Sequence, residues 1–271
     1  MKNKGFPVSC CRYEKLRNRN TGRALQAPKK INNPTSRRNL TFKKKGRKPA
    51  NLFKTLSGIW WILVTGAQWN QLPEIYGKSN SVYRFHLRWA HRGVFKRMLE
   101  LSVKAWNNDE FKIIDGTHVK VHQDACYFFS SPEEQRFGKT KGGRNSKINA
   151  VTNGAGKLIS LALVTGNESE LKSAREVLGD VKNKIVLGDK GFDDDKLRKW
   201  VRLNGGVANI PGRKNRLSEV FYIKEVGRIR YVVENYFSRI KRYRRVGTRY
   251  DRHAETYLAF VCLASLMDWL R

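Results

Sequence analysis

KINAVTNGAGKLISLALVTG, residues 147–166, contains two short β-branched runs, KINAVTN (147–153) and KLISLALVTG (157–166), that fold back on each other across Asn153, Gly154 and Gly156. Upstream, FKIID (111–115) continues through THVKVH as a third strand. Downstream the rhythm changes. Ser169 to Leu178 has helical spacing, KIVLG (184–188) is a buried strand, Asp193 to Leu203 is a helix closed by Gly205 and Gly206, and VANIP (207–211) is a fifth strand. Two helices follow at about 224–243 and 254–270. Three hairpin-capable strands followed by helix–strand alternation predict an α/β fold, a mixed five-stranded sheet with flanking helices.

The chain has 271 residues, with 55 Lys plus Arg against 23 Asp plus Glu and a formal net charge of +32. Hydrophobic residues at 40% and aromatics at 11% are ordinary for a globular chain, so wholesale disorder is excluded. Self-repulsion of this size calls for a polyanionic partner, nucleic acid before an anionic membrane surface. Residues 1–50 hold sixteen Lys or Arg and one acid. Residues 1–48 also lack hydrophobic periodicity and carry Pro7, Pro28 and Pro34, the composition of a flexible basic arm.

From residue 49 to 108 the pattern is helical. Phe53, Leu56, Ile59, Trp60 and Leu63 line one helix at about 51–65, ended by Gly66. Ser79, Asn80 and Ser81 are candidate caps for a second helix, with Val82, Phe85, Leu87 and Trp89 on one side and Arg84, Arg88 and Arg92 on the other. This suits a small helix-turn-helix-like DNA-binding domain, although a basic helix face is also an ordinary solvated surface. Trp60, Trp61, Trp69 and Trp89 are expected in the core. The apolar stretches Leu56–Ala67 and Tyr257–Leu270 fall short of the roughly 18 to 20 residues that span a bilayer, and MKNKGFPVSCCRYEK lacks the apolar run of a signal peptide. A soluble, cytoplasmic and nucleoid-associated protein with no membrane partner is expected. Cys10, Cys11, Cys126 and Cys262 form no zinc-binding pattern.

In so basic a chain, acids at strand ends or on basic helices stand out. Asp115 follows KII, and Asp189 follows KIVLG; two such strands side by side bring both carboxylates to one edge, although Asp at a strand end is also a common turn residue. Asp193, Asp194 and Asp195 read as the cap and first turn of the next helix. Glu234 lies in GRIRYVVENYFSRIKRYRRV, on one stripe with Arg230 and Lys241 and among Arg242 and Arg245. An i,i+4 Arg–Glu pair is the plain alternative. Two Asp and one Glu converging can hold two Mg²⁺ ions, with Mn²⁺ as a substitute, for in-line displacement at a phosphodiester; hard oxygen ligands disfavour zinc. The loop 138–147 offers Lys139, Lys141, Arg144 and Lys147 to phosphate, or is an ordinary exposed hairpin. His118 and His122 fall on one face of a strand, in structural or DNA-contacting roles.

The strand order matches a ribonuclease-H-like domain, and the motifs resemble the DDE transposases of bacterial insertion sequences, most closely the insertion-sequence-5 family. The likeness runs from about Ser36 to Arg271 through IIDGTHVKVHQ, GKTKGGRNSKINAVTNGAGKLISLALVTGNESE, LGDKGFDDDKLR and RIRYVVENYFSRIKRYRRVGTRYDR. The resemblance implies a catalytic domain at 109–271 whose catalytic and metal-binding residues are Asp115, Asp189 and Glu234. The family's C-terminal signature is Tyr, two residues, Arg, three residues, Glu, six residues, Lys; Arg230, Glu234 and Lys241 match, Arg230 and Lys241 inherit a phosphate-contacting role, and Gly227 stands at the Tyr position. The implied function is Mg-dependent cleavage and strand transfer at terminal inverted repeats. Double-stranded DNA, both repeat and target, is the implied partner, bound by a homodimer or larger assembly. A nuclease of the same fold without joining activity, and a non-catalytic nucleic-acid-binding protein, are the competing readings.

Overall fold

The computed structural model describes residues 51–126 and 135–271; the basic arm expected at 1–48, with Cys10 and Cys11, lies outside them. Helix α1 is Leu52–Thr65, capped by the Asn51 side chain on the Lys54 N–H and ended at Gly66 in the left-handed conformation. Helix α2 is Ser79–His91. Its N-cap is Lys78 with no side-chain hydrogen bond, so Ser79, Asn80 and Ser81 open the helix and do not cap it. A third helix, α3, is Val94–Trp106.

The sheet has seven strands where five were expected. They are β1 (Phe111–Val121), β2 (Gly138–Thr140), β3 (Gly143–Thr152), β4 (Leu158–Thr165), β5 (Ile185–Leu187), β6 (Val207–Asn209) and β7 (Thr248–Arg249). The two additions are short: β2 forms a hairpin with β3, and β7 makes a parallel bridge to the end of β1. The main path has β1 between antiparallel β3 and parallel β5, with β4 outside β3 and β6 outside β5. It is a mixed sheet, antiparallel on the β3–β4 side and parallel on the β5–β6 side, as the sequence led one to expect.

Alternation along β1 splits the core in two. Ile114 faces the side covered by α4 (Glu170–Leu178) and α5 (Asp195–Leu203), with Val151, Val177, Val186, Leu197 and Val201. Ile113 and Val119 face the opposite side, packed with α6 (Tyr231–Lys241) and α7 (Ala254–Trp269). The same cluster takes in Ile59, Ile62 and Leu63 of α1, Val82 of α2 and Phe95 and Leu99 of α3. The described residues on either side of the division expected at 108–109 belong to one compact unit and share a core. His86 of α2 is buried in it, stacked on Phe260 of α7 with ring centroids 4.2 Å apart. Trp60, Trp61, Trp69 and Trp89 pack against the cluster, in keeping with the sequence. Among the described residues no helix is long and apolar enough to cross a membrane.

Candidate active site

Asp115 is not at the end of its strand. It lies inside the eleven-residue β1. Asp189 nevertheless lies near it: β5 pairs in parallel with β1 up to Ile113–Leu187, both aspartates follow two residues later, and the Asp189 charge acts on Asp115. After Gly188 the chain leaves the sheet in a tight turn, Lys190–Phe192, capped by the Asp189 carboxylate on the Gly191 N–H at 2.8 Å. Arg213 holds that turn from the next loop, donating to the carbonyls of Lys190 (3.1 Å) and Gly191 (3.0 Å).

The third acid arrives on α6. Arg230, one turn before Glu234, donates to Glu234 Oε1 at 2.6 Å and to Asp115 Oδ2 at 3.3 Å. The plain i,i+4 pair therefore exists, and its guanidinium also reaches the sheet. Lys241 bonds Thr117 Oγ1 (2.6 Å) and the His118 carbonyl (2.9 Å), fixing the far end of α6 to β1; burial lowers its pKa. The stripe of Arg230, Glu234 and Lys241 thus lies along β1 as the helical spacing requires.

Burial pushes the Asp115 carboxyl up to about 6. The Gly116 N–H and Arg230 oppose the shift, while the neighbouring Asp189 and Glu170 carboxylates add to it. Among the described residues no three His, Cys, Asp or Glu side chains stand close enough to hold a metal ion. Asp115 and Glu234 are joined through the Arg230 cation. Asp115 is the donor that suits a hard divalent cation: a carboxylate whose proton affinity the nearby Asp189 and Glu170 carboxylates raise, and which shares the Arg230 cation with Glu234.

Glu170, at the start of α4, is a neighbour that sequence reading missed. Its carboxylate lies over Gly116, where an added Cβ would sit 2.7 Å from Glu170 Cδ and 2.8 Å from Asn149 Oδ1. The glycine directly after Asp115 was the available signal, since only a residue without a side chain permits that approach. Lys147 Nζ lies 3.5 Å from Glu170 Oε1 and donates to the Glu168 carbonyl. Burial, with the charge of Lys147, lowers the His118 pKa, and Glu170 opposes this.

Two expected DNA contacts are corrected by burial. Lys147 is 7% exposed because its β3 position points it at Glu168 and Glu170. Arg245 is 6% exposed and pairs with Asp251, its guanidinium lying over the rings of Tyr250 and Phe260. Both serve the interior. Lys139, Lys141, Arg144, Arg84, Arg88 and Arg242 are exposed. Of the three aspartates read as a helix start, Asp194 is the cap and Asp195 is in the first turn of α5. Asp193 is instead buried, receiving Arg198, Arg216 and the Arg213 N–H. His122 lies just past β1, its ring against Tyr250.

Residues 106–267 match the family described as Transposase DDE domain, and residues 34–99 match Putative transposase of IS4/5 family. A putative transposase for insertion sequence element IS6501 from Brucella ovis is 28% identical over 128 residues, 46% of this chain and 98% of that protein. An uncharacterized protein of Sinorhizobium fredii is 38% identical over 72 residues, 26% of this chain and 56% of its own length. Among solved structures, the Mos1 strand transfer complex is similar at 12% identity and a TM-score of 0.30, covering 84% of this chain and 79% of that one. With the DDE family matched over residues 106–267, more than half of its length, the chain belongs to the DDE transposases.

Proposed function

We propose that this transposase binds the terminal inverted repeats of an insertion sequence and that Asp115, Asp189 and Glu234 carry its catalysis. The observation that supports this most strongly is that Asp189 follows just past the parallel β1–β5 pairing, near enough for its charge to act on Asp115, while Arg230 ties Glu234 to the same Asp115 carboxylate. In hydrolysis, water attacks the phosphorus at the element end, the bond to the 3′-oxygen breaks, and a 3′-hydroxyl and a 5′-phosphate result. In joining, that hydroxyl attacks a target phosphorus and displaces the target 3′-oxygen. The three carboxylates would hold Mg²⁺, or Mn²⁺ in its place, and bound divalent ions supply nucleophile activation and charge neutralisation at the leaving oxygen.

The chain's own residues position and hold DNA. Arg230 and Lys241 meet phosphate beside the carboxylates; Lys139, Lys141, Arg144 and Arg242, with Arg84 and Arg88 on the helical segment 49–108, extend the basic surface. Residues 109–271 carry the chemistry, and bringing two element ends together requires at least a dimer on DNA. The cell location of the substrate is the cytoplasm, at the nucleoid.

The test supplies Mg²⁺, a labelled duplex bearing the inverted repeats that flank the coding region, and a target plasmid. The expected products are 3′-nicked ends and ends joined to target. Nicks with no joined product in any metal would instead assign a nuclease, and tight binding with neither product a non-catalytic DNA-binding protein.

A further inference from the structure

Gly227 stands three residues before Arg230 and seven before Glu234, so on a helical path its side-chain direction falls on their stripe. That position is already filled. A Cβ at Gly227 would lie 2.6 Å from Cζ and 2.8 Å from Cε2 of Tyr222, and closer still to the phenol oxygen. Tyr222 comes from the loop that follows β6, and the backbone of the next residue, Ile223, is fixed. The side chain of Asn209, 2% exposed at the end of β6, accepts from the Ile223 N–H at 2.7 Å and donates to the Ile223 carbonyl at 3.1 Å. The Tyr222 side of the molecule is not closed over, since the residue remains 37% exposed. No hydrogen bond from its hydroxyl is made among the described residues.

We propose that Tyr222 is a DNA-binding residue of the active site: a loop-borne phenol that hydrogen-bonds a phosphodiester oxygen beside Arg230, in the space a side chain at 227 would take. The inference rests on Asp115, Asp189 and Glu234 being the catalytic carboxylates. Gly227 is then no defect in the signature. It is the vacancy that lets the phenol enter from the loop, and the stripe carries Tyr222, Arg230, Glu234 and Lys241 in spatial sequence. A neutral hydroxyl donor suits a phosphate oxygen flanked by Arg230, because it adds a directed hydrogen bond and leaves the charge balance around Glu234 unchanged.

The experiment measures kcat/KM for cleavage of inverted-repeat DNA in Mg²⁺, with Tm as a control. Tyr222→Phe keeps the ring and removes the hydroxyl, so a roughly tenfold fall in kcat/KM with unchanged Tm is expected for one charge-assisted hydrogen bond. Gly227→Tyr alone should fall further, because two rings compete for one space. The double variant Tyr222→Ala with Gly227→Tyr should recover to within about threefold of the unaltered protein on the same warrant. Wild-type kcat/KM in Tyr222→Phe overturns the proposal, and so does a double variant with kcat/KM no higher than Tyr222→Ala. Asp115→Asn separates the two levels. If it still cleaves, the catalytic assignment has failed; if it is inert while Tyr222→Phe is fully active, only the role of Tyr222 has failed.

Discussion

At the scale of single residues, Asp115 is costly to the fold and therefore informative. Its carboxyl is raised from 3.8 to about 6, first by burial. A carboxyl that binds its proton more tightly when folded loses stability as pH rises through the window between those values. Below 3.8 both states are protonated and no penalty exists; above 6 the penalty is complete. At 1.36 kcal/mol per pKa unit, it reaches about 3 kcal/mol. Asp115→Asn in chelator-treated protein should therefore be more stable than the unaltered chain at pH 7.5, by up to that amount, and no more stable at pH 3.5. Urea unfolding at the two pH values checks this, and equal ΔΔG at both would deny the buried, charged carboxylate. Tyr222 and Gly227 make a related point. A residue-by-residue comparison with the signature finds a tyrosine missing at 227, whereas the structure finds a tyrosine ring already over that position.

At the scale of elements, what was legible in the sequence was periodic. The β-branched runs at 111–115, 147–153, 157–166, 184–188 and 207–211 all contain strands, and the stripe on α6 lies on β1 as its spacing requires. What was not legible depended on register and on partners distant in sequence. The continuation of the strand through THVKVH was legible, but Asp115 looked like a strand end because it closes the apolar run KII; pairing with β3 on both sides of it places it within β1. Lys147 looked like a surface cation because its partner Glu170 lies on a distant helix, and Arg245 because nothing in the spacing shows that the chain turns back to bring Asp251, six residues on, against it. Glu170 looked like a helix start because nothing local ties it to Gly116. His86 is the same kind of omission: it appeared within a basic helix, yet it is buried where α2 meets α7, stacked on Phe260. Burial lowers its pKa from 6.5 to about 4. Its unfolded form takes up a proton that the folded form refuses, so stability is full above pH 6.5 and is lost as pH falls towards 4. His86→Phe keeps the aromatic stack and removes the titration. It should retain about 3 kcal/mol more than the unaltered chain at pH 4, by the same conversion, and acid unfolding monitored by tryptophan fluorescence measures it. An unchanged acid transition would contradict a neutral buried imidazole.

At the scale of the whole molecule, the net charge of +32 divides into cations that can meet DNA and cations committed to the interior. Arg245 and Lys147 belong to the second group, and so does Arg249, which is fully buried and bonded to Ser146 and the Asp251 carbonyl. DNA affinity should fall steeply with salt, and each removed phosphate contact should flatten the log–log slope by about 0.9. Lys139→Gln, Lys141→Gln and Arg144→Gln are expected to do so with little change in Tm. Arg245→Gln is expected to leave the slope unchanged and to lower Tm, because it leaves Asp251 buried without its partner. Fluorescence anisotropy across a salt series, with thermal denaturation alongside, separates the two groups. In the proposed function, charge accounts for holding DNA, and the few acids set among the cations account for cutting and joining it. The most direct measurement of that claim is Asp189→Asn, assayed for both binding and cleavage of inverted-repeat DNA in Mg²⁺. The account predicts binding within about threefold of the unaltered protein, because affinity rests on Lys and Arg contacts, with cleavage abolished; cleavage retained at the wild-type rate would contradict it.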